Sequence, residues 1–116
     1  MDALDDHDKR VLARALSAIG EFRKLRHDMP LQYLTTFLLV AKEEGLTVNG
    51  YAERAKVSKS VMSRHLKDIG EANRHKKPGF KLVHSKTNPN NGKEKLIYLT
   101  DLGRAMASRM GGAIGN

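Results

Sequence analysis

The stretch VSKSVMSRHLKDIG, residues 57–70, repeats apolar side chains with the period of an α-helix. Met62, Leu66 and Ile69 are spaced i, i+4, i+7, so they share one face of a helix predicted over residues 59–71. The opposite face collects short hydroxyl and basic side chains: Lys59, Ser60, Ser63, Arg64 and Lys67. This polar face is either an ordinary solvated surface or a surface that contacts a negatively charged partner.

The segments before this helix also have helical patterns. Apolar residues recur at helical spacing over residues 4–26, and a second helix is predicted over residues 30–44. That second helix is apolar around most of its circumference and should be the central core helix. A short helix over residues 48–55 and a tight connection at Lys56–Val57 follow, and Ser58 is then a preferred N-cap residue for the fourth helix.

Two short strand-like runs lie beyond the fourth helix, FKLVHS at 80–85 and EKLIYLT at 94–100. Between them, the dipeptide Asn91–Gly92 is a strong signal for a tight turn, so a β-hairpin with basic side chains is predicted. A last helix is predicted at about residues 101–110. The glycine-rich end GGAIGN, residues 111–116, is predicted to be a disordered tail.

Positive charge is concentrated in one third of the chain. The 116 residues have a formal net charge of +8 and include no cysteine, which excludes disulfides and Cys-ligated metals. Residues 56–95 contain eleven Lys or Arg and three Asp or Glu, and therefore hold the whole excess. Such segregation is typical of a surface that binds a polyanion. No apolar run approaches the ~20 residues of a membrane span, so we expect one cytoplasmic domain with no membrane partner.

Two long segments resemble a known family. FLLVAKEEGLTVNGYAERAKVSKSVMSRHL, residues 37–66, is similar to the helix-turn-helix of MarR-type transcriptional regulators. KLVHSKTNPNNGKEKLIYLTDLGRAM, residues 81–106, resembles their wing and the helix after it. The SxSRxL-like core also occurs in LysR-type N-terminal domains, but the wing ending in LTDLG favours MarR. The resemblance implies an α+β, mainly helical fold, with a winged helix-turn-helix at 30–110 and an N-terminal extension helix for dimerisation at 1–29.

The resemblance also implies which residues bind DNA. Ser58, Lys59, Ser60, Ser63, Arg64 and Lys67 would belong to the recognition helix, and Lys86, Asn88, Asn91 and Lys93 to the wing. Short serines let a helix approach the major groove closely, and Arg64 can contact guanine O6 and N7 or clamp a phosphate. An ion pair between Arg64 and Asp68, four residues apart, is the structural alternative.

The sequence departs from the family in three places. The Asp-x-Arg usual in the wing is replaced by NNGK, and the link GEANRHKKPGF is longer than usual. The long C-terminal helix with which MarR proteins dimerise is missing or very short, so helix 4–26 would supply most of a dimer interface. The basic run RHKKPGFK, residues 74–81, is either a second phosphate-binding patch or a linker.

These residues predict a sequence-specific double-stranded DNA-binding regulator of transcription, a repressor acting as a homodimer on an inverted repeat. Low-specificity architectural or replication-linked DNA binding, binding of structured RNA and a protein-interaction module remain alternatives. Catalysis has no support, because phosphate-binding glycine loops, paired carboxylates in an apolar setting and cysteine nucleophiles are missing. The five histidines lack ligand spacing, so we expect neither metal nor cofactor. Few aromatic residues and a short dimer region argue against a small-molecule effector.

Overall fold

The computed structural model describes residues 4–71 and 79–115. Within these residues the chain forms five α-helices and one antiparallel β-hairpin. The elements are α1 (Asp6–Arg23), α2 (Leu31–Lys42), α3 (Val48–Ala55), α4 (Lys59–Asp68), β1 (Val83–Asn88), β2 (Asn91–Leu99) and α5 (Asp101–Gly115). The predicted order of helices and hairpin is confirmed, and α3 has the predicted bounds.

Side-chain caps fix where four of these five helices begin. In each, an oxygen of the cap residue accepts the backbone N–H three residues later, which satisfies one of the free donors of the first turn. The caps are Asp5 to Asp8 (2.8 Å), Thr47 to Gly50 (3.0 Å), Ser58 to Val61 (3.1 Å) and Thr100 to Gly103 (3.0 Å). Helix α2 differs, because Pro30 precedes it in an extended conformation instead of forming part of its first turn.

One hydrophobic core joins all five helices to the base of the hairpin. The rings of Phe22 and Phe37, 5.5 Å apart between centroids, connect α1 to α2. The buried apolar side chains are Ala18, Phe22, Phe37, Val40, Tyr51, Ala52, Met62, Leu66, Ile69, Leu82, Val83, Ile97, Leu99, Met106 and Met110. Met62 and Leu66 therefore pack inward as their spacing predicts, and the polar face of α4 is left outside.

The hairpin is attached to the helices through its second strand. The segment before α3 pairs with β2: the N–H of Gly45 donates to the Ile97 carbonyl (2.7 Å), and the Ile97 N–H donates to the Leu46 carbonyl (3.0 Å). Gly45 adopts a left-handed conformation, with φ of 86°. Since α3 and α4 follow directly, this pairing fixes the hairpin relative to α4.

The hairpin turn is not where the sequence signal placed it. It lies at Pro89–Asn90, whereas Asn91–Gly92 falls within β2, so the prediction of the turn position was wrong. Proline is preorganised for the first central position of a turn, and the Asn88 side chain accepts the N–H of Asn90 at 2.9 Å. The strand register shifts next to Asn88. Residues 92–94 consequently bulge from β2.

The predicted disordered tail at 111–116 is corrected for its described residues, because α5 continues to Gly115. Met106 and Met110 are buried against the core and Ala113 is half-buried, at spacings of i, i+4 and i+7. This packing outweighs the roughly 1 kcal/mol by which each glycine disfavours a helix. Asn116 lies outside the described residues.

Helix α4 ends at Asp68, three residues before the predicted end. The carbonyls of Ile69 and Gly70 accept the N–H groups of Leu82 and Lys81, both at 2.8 Å, so the chain here pairs with the segment leading into β1. None of the helices in the described ranges has the length and apolar character needed to cross a membrane.

Candidate nucleic-acid interface

The polar face of α4 is presented to solvent as one surface. Lys59, Ser60, Arg64 and Lys67 are exposed and Ser63 is half-buried, and these five side chains line a single shallow concavity. The structure thus brings together the five predicted residues of this helix. The Ser58 hydroxyl is exposed, but it also caps α4, so its removal would affect both the helix and any contact that it makes.

The structural alternative for Arg64 is not observed. The ion pairs between described residues do not include Arg64, and the Asp68 carboxylate instead accepts a hydrogen bond from the Tyr33 hydroxyl at 2.5 Å. The Tyr33 ring also meets His65 edge-on, with centroids 5.8 Å apart. Helix α2 therefore contacts the inner side of the C-terminal half of α4. The Arg64 guanidinium remains on the outer, solvent-exposed face.

The hairpin has two faces with different surroundings. Lys95 lies on the face toward α4, where its ammonium donates to the Thr87 hydroxyl at 2.9 Å. Lys86 lies on the opposite face, with its ammonium 5.2 Å from the centroid of the Tyr98 ring, a cation–π distance. The predicted wing residue Lys86 therefore points away from α4. Lys95, which was not among the predicted site residues, faces it; strand alternation once the register is known would have identified it.

The two predicted asparagines build the tip of the hairpin. The side-chain oxygen of Asn91 accepts the N–H of Lys93 at 3.1 Å, and its amide donates to Glu94 at 3.0 Å. The side-chain oxygen of Asn88 likewise accepts a backbone N–H, that of Asn90, and stabilises the turn. Lys93 is exposed on the bulge that these contacts stabilise. Contacts of Asn88, Asn91 and Lys93 with DNA stay predictions.

Ion pairs between described residues neutralise cations elsewhere but not on α4 or the hairpin. Among the described residues the pairs are Lys24–Glu21, Arg26–Asp28, Arg54–Glu43, Arg104–Glu44 and Arg109–Glu21. All of them lie on the helices and loops outside α4 and the hairpin. The positive side chains of α4 and the hairpin are consequently available to an anionic partner.

One of these pairs fastens the hairpin to the helices. The Glu44 carboxylate accepts two hydrogen bonds from Arg104, both 2.9 Å, and one from the Leu99 N–H at 2.8 Å. Burial, which acts to raise the pKa of Glu44, is outweighed by these hydrogen bonds and by the Arg104 charge, so the pKa lies below its ordinary value. The ionised carboxylate thus joins α2, β2 and α5.

A second, apolar surface runs along α1. Helix α5 packs only against the C-terminal half of α1, where Ala18 and Phe22 are buried. Every residue from 4 to 14 is exposed. Half of the large hydrophobic side chains that are exposed in the described chain lie on α1 or just before it: Leu4, Val11, Leu12, Leu16 and Ile19. The apolar side chains on which the dimer prediction depends are therefore left exposed by the described part of the chain.

Two sequence features are only partly addressed by the structure. Of the basic run 74–81, residues 74–78 lie outside the described ranges, so its role as a patch or linker stays open. Across 4–71 and 79–115, no three His, Asp or Glu side chains come together in a way that could hold a metal ion.

Comparison with known proteins supports the fold through structure. No protein-family model and no curated protein matches the sequence. Among solved structures, the PcaV transcriptional regulator from Streptomyces coelicolor in complex with its natural ligand matches with a TM-score of 0.58 and 22% identity, over 99% of this chain and 79% of that chain. A MepR mutant from S. aureus matches with a TM-score of 0.66 and 16% identity, over 93% and 69%.

A mutant of MarR from E. coli complexed with operator DNA matches with a TM-score of 0.63 and 17% identity, over 94% of this chain and 68% of that chain. These structures are MarR-family winged-helix regulators. At such low identity the likeness establishes the fold alone: the chain has a winged-helix fold like that of these regulators, and the predicted fold class is confirmed.

Proposed function

We propose that this protein regulates transcription by binding duplex DNA, with α4 in the major groove. The observation that carries the proposal is the exposed face of α4, where Lys59, Arg64 and Lys67 are free of ion pairs with the other described residues. A major groove about 12 Å wide admits one helix, and the preceding helix braces it against the backbone. The complex of a MarR mutant of similar fold with operator DNA supports duplex DNA as the partner.

Each side chain of the interface has a proposed role. Ser60 and Ser63 permit close approach, Arg64 contacts a guanine edge or a phosphate, and the lysines contact phosphates. The hairpin would lie on the adjacent minor groove or backbone. Its proposed contacts are those of Lys86, Asn88, Asn91 and Lys93, of which Lys86 would have to reach DNA from the outer face of the hairpin.

The protein would act as a homodimer on an inverted repeat. The uncovered apolar side chains of α1 support this, because a second copy related by two-fold symmetry would bury them against the same surface. Two recognition helices related in this way require a palindromic site with half-sites about one helical turn apart. Occupation of such a site competes with RNA polymerase, so the expected effect is repression. The expectation that no small-molecule effector acts stays a prediction.

The direct test is selection from the genome. Purified protein is incubated with sheared genomic DNA at about 150 mM salt, close to physiological ionic strength, and the bound DNA is sequenced. Enrichment of a few sites that share an inverted repeat supports a sequence-specific dimeric regulator. Recovery of DNA without enriched sites supports a low-specificity architectural protein instead. If no DNA is recovered, the proposed function is wrong.

A further inference from the structure

A cleft separates the recognition helix from the hairpin. Its volume is about 380 Å³, and its walls come from α4 on one side and from both strands on the other. Ser63 and Lys67 of α4 line both this cleft and the concave outer face of the helix. The cleft is therefore continuous with the surface that we propose for the major groove.

The lining of the cleft divides into an apolar floor and a polar rim. Val48, Leu66, Val83 and Ile97 form the floor. The rim contains Lys67 and Ser63 on the helix side and Lys95 and Ser85 on the hairpin side, together with Glu71. His84 also lines the cleft, but its ring lies near that of Tyr98 on the opposite face of the hairpin, with centroids 6.1 Å apart. The rim thus has two lysines and two hydroxyls against one carboxylate.

The rim retains hydrogen-bond donors that the other described residues do not use. Lys95 donates to the Thr87 hydroxyl, which engages one of the three hydrogens of its ammonium group. Lys67 is exposed at the end of α4 and takes part in no ion pair with the other described residues. The two ammonium groups can therefore converge on one anion from opposite walls.

Given the proposed function, we propose that this cleft holds one sugar–phosphate unit of the DNA backbone, with its phosphate between Lys67 and Lys95. The sugar–phosphate backbone of one strand separates adjacent major and minor grooves, so with α4 in the major groove and the hairpin on the minor groove this backbone has to pass between these two elements. The deoxyribose would rest on the apolar floor, and the serine hydroxyls would donate to phosphate oxygens. This assigns a DNA contact to Lys95 and Ser85.

The test measures how affinity for duplex DNA depends on salt in the full chain, in Lys67→Ala, in Lys95→Ala and in the double variant. Each neutralised phosphate contributes about 0.9 to the slope of log K against log salt concentration. Because one phosphate is shared, each single variant should weaken the affinity, and the double variant should reduce the magnitude of the slope by about 0.9 in total. Lys42→Ala removes the same charge from an exposed position outside the cleft and should leave the slope unchanged.

The outcomes separate the inference from the proposed function. A double variant whose slope is smaller in magnitude than the native slope by about 1.8 would mean two separate phosphates, and a double variant that binds with the same affinity and slope as Lys67→Ala would mean that Lys95 makes no contact; either result overturns the shared site while DNA binding stands. Failure of the native chain to bind duplex DNA at any salt concentration would overturn the proposed function itself. Lys95→Gln, which keeps part of the side-chain stem, repeats the test if the alanine variant is unstable.

Discussion

Gly103 in the first turn of α5 lies against the backbone of Leu82, so close that a Cβ atom at position 103 would be 2.1 Å from the Leu82 carbonyl oxygen. The same carbonyl accepts the N–H of Thr100 at 3.0 Å, and the Thr100 hydroxyl donates to the carbonyl of Lys81 at 2.6 Å. The Thr-Asp-Leu-Gly sequence thus fastens the start of α5 to the chain just before the hairpin, and only glycine fits its last position.

Gly103→Ala should destabilise the protein strongly. The added methyl meets a backbone atom that two elements hold in place, and overpacking of this kind costs about 1–3 kcal/mol or more of unfolding free energy. Gly111→Ala, in the same helix with open space around it, should instead stabilise by up to about 1 kcal/mol through helix propensity. Urea unfolding at one fixed protein concentration measures the change in unfolding free energy for both variants. Equal effects of the two substitutions would contradict the close approach.

Lys56→Gly should stabilise the protein. Lys56 ends α3 in the left-handed conformation, with φ of 58°, which costs a residue with a Cβ roughly 1 kcal/mol compared with glycine. Glu53→Gly, at an exposed position inside the same helix, should destabilise by a similar amount, about 1 kcal/mol. Thermal unfolding shows whether each substitution raises or lowers the melting temperature. A lower melting temperature for Lys56→Gly would mean that the lysine side chain makes a stabilising contact that outweighs its backbone strain.

The ion pair of Glu44 should make stability dependent on pH. Because folding lowers the pKa of Glu44 below its ordinary value of 4.5, the ionised carboxylate stabilises the fold above that pH, and this contribution is lost as pH falls through the folded pKa. The difference in unfolding free energy between the native chain and Glu44→Gln should therefore be full at neutral pH and shrink under acid conditions.

Glu43→Gln is the matched control for this experiment. Glu43 pairs with Arg54 on the surface, and about half of each side chain is exposed, so its removal should change stability by less than about 1 kcal/mol. A Glu44→Gln difference that stays constant from neutral pH to well below 4.5 would show that the charge of Glu44 contributes nothing to the fold.

Arg64→Ala should weaken DNA binding without changing the fold. The guanidinium is exposed and pairs with no described carboxylate, so the unfolding free energy should stay within experimental error. If Arg64 contacts a guanine edge, discrimination at one base pair should fall by about 1–3 kcal/mol. Titration of the selected genomic site and of single-base variants measures this. Arg26→Ala, which removes an equal charge beside Asp28, should bind as the native chain does, and unchanged affinity in Arg64→Ala would remove Arg64 from the interface.

Leu12→Glu should convert the proposed dimer to a monomer. Leu12 is 56% exposed in the described chain, and burial of a leucine side chain against a second copy contributes about 1.5–3 kcal/mol, which a buried charge would reverse. Leu31→Glu places the same charge at a residue that is more exposed and lies outside the α1 surface. Sedimentation velocity at micromolar concentration should show a dimer for the native chain and for Leu31→Glu. A monomeric native chain would end the dimer proposal.

Local signals in the sequence identified the elements that carry the interface. Thr47 and Ser58 are strong N-cap residues, and both bond to the N–H groups expected of them, so the start of α3 and of α4 could be predicted from a few neighbouring residues. The outward face of α4 followed from the spacing of its apolar side chains alone. These features depend on interactions within one turn of helix.

Features that depend on distant contacts could not be predicted in this way. The hairpin contains two competing turn signals, and the choice of Pro89–Asn90 depends on the register of the strands around it. The face on which Lys95 lies depends on that same register. Asp68 and Tyr33 are 35 residues apart, so no local pattern indicates that this hydrogen bond replaces an ion pair with Arg64.

The packing of Phe22 against Phe37 has a consequence for the DNA sites that the proposed dimer could use. Both rings are almost fully buried, so α1 is packed against the rest of the described fold and cannot rotate freely relative to it. In a dimer held together by α1, the distance and rotation between the two copies of α4 are then fixed by the protein. One base pair inserted between half-sites rotates them by about 34–36° relative to each other, because a turn of DNA contains about 10–10.5 base pairs. Spacer length would therefore be discriminated as sharply as base sequence.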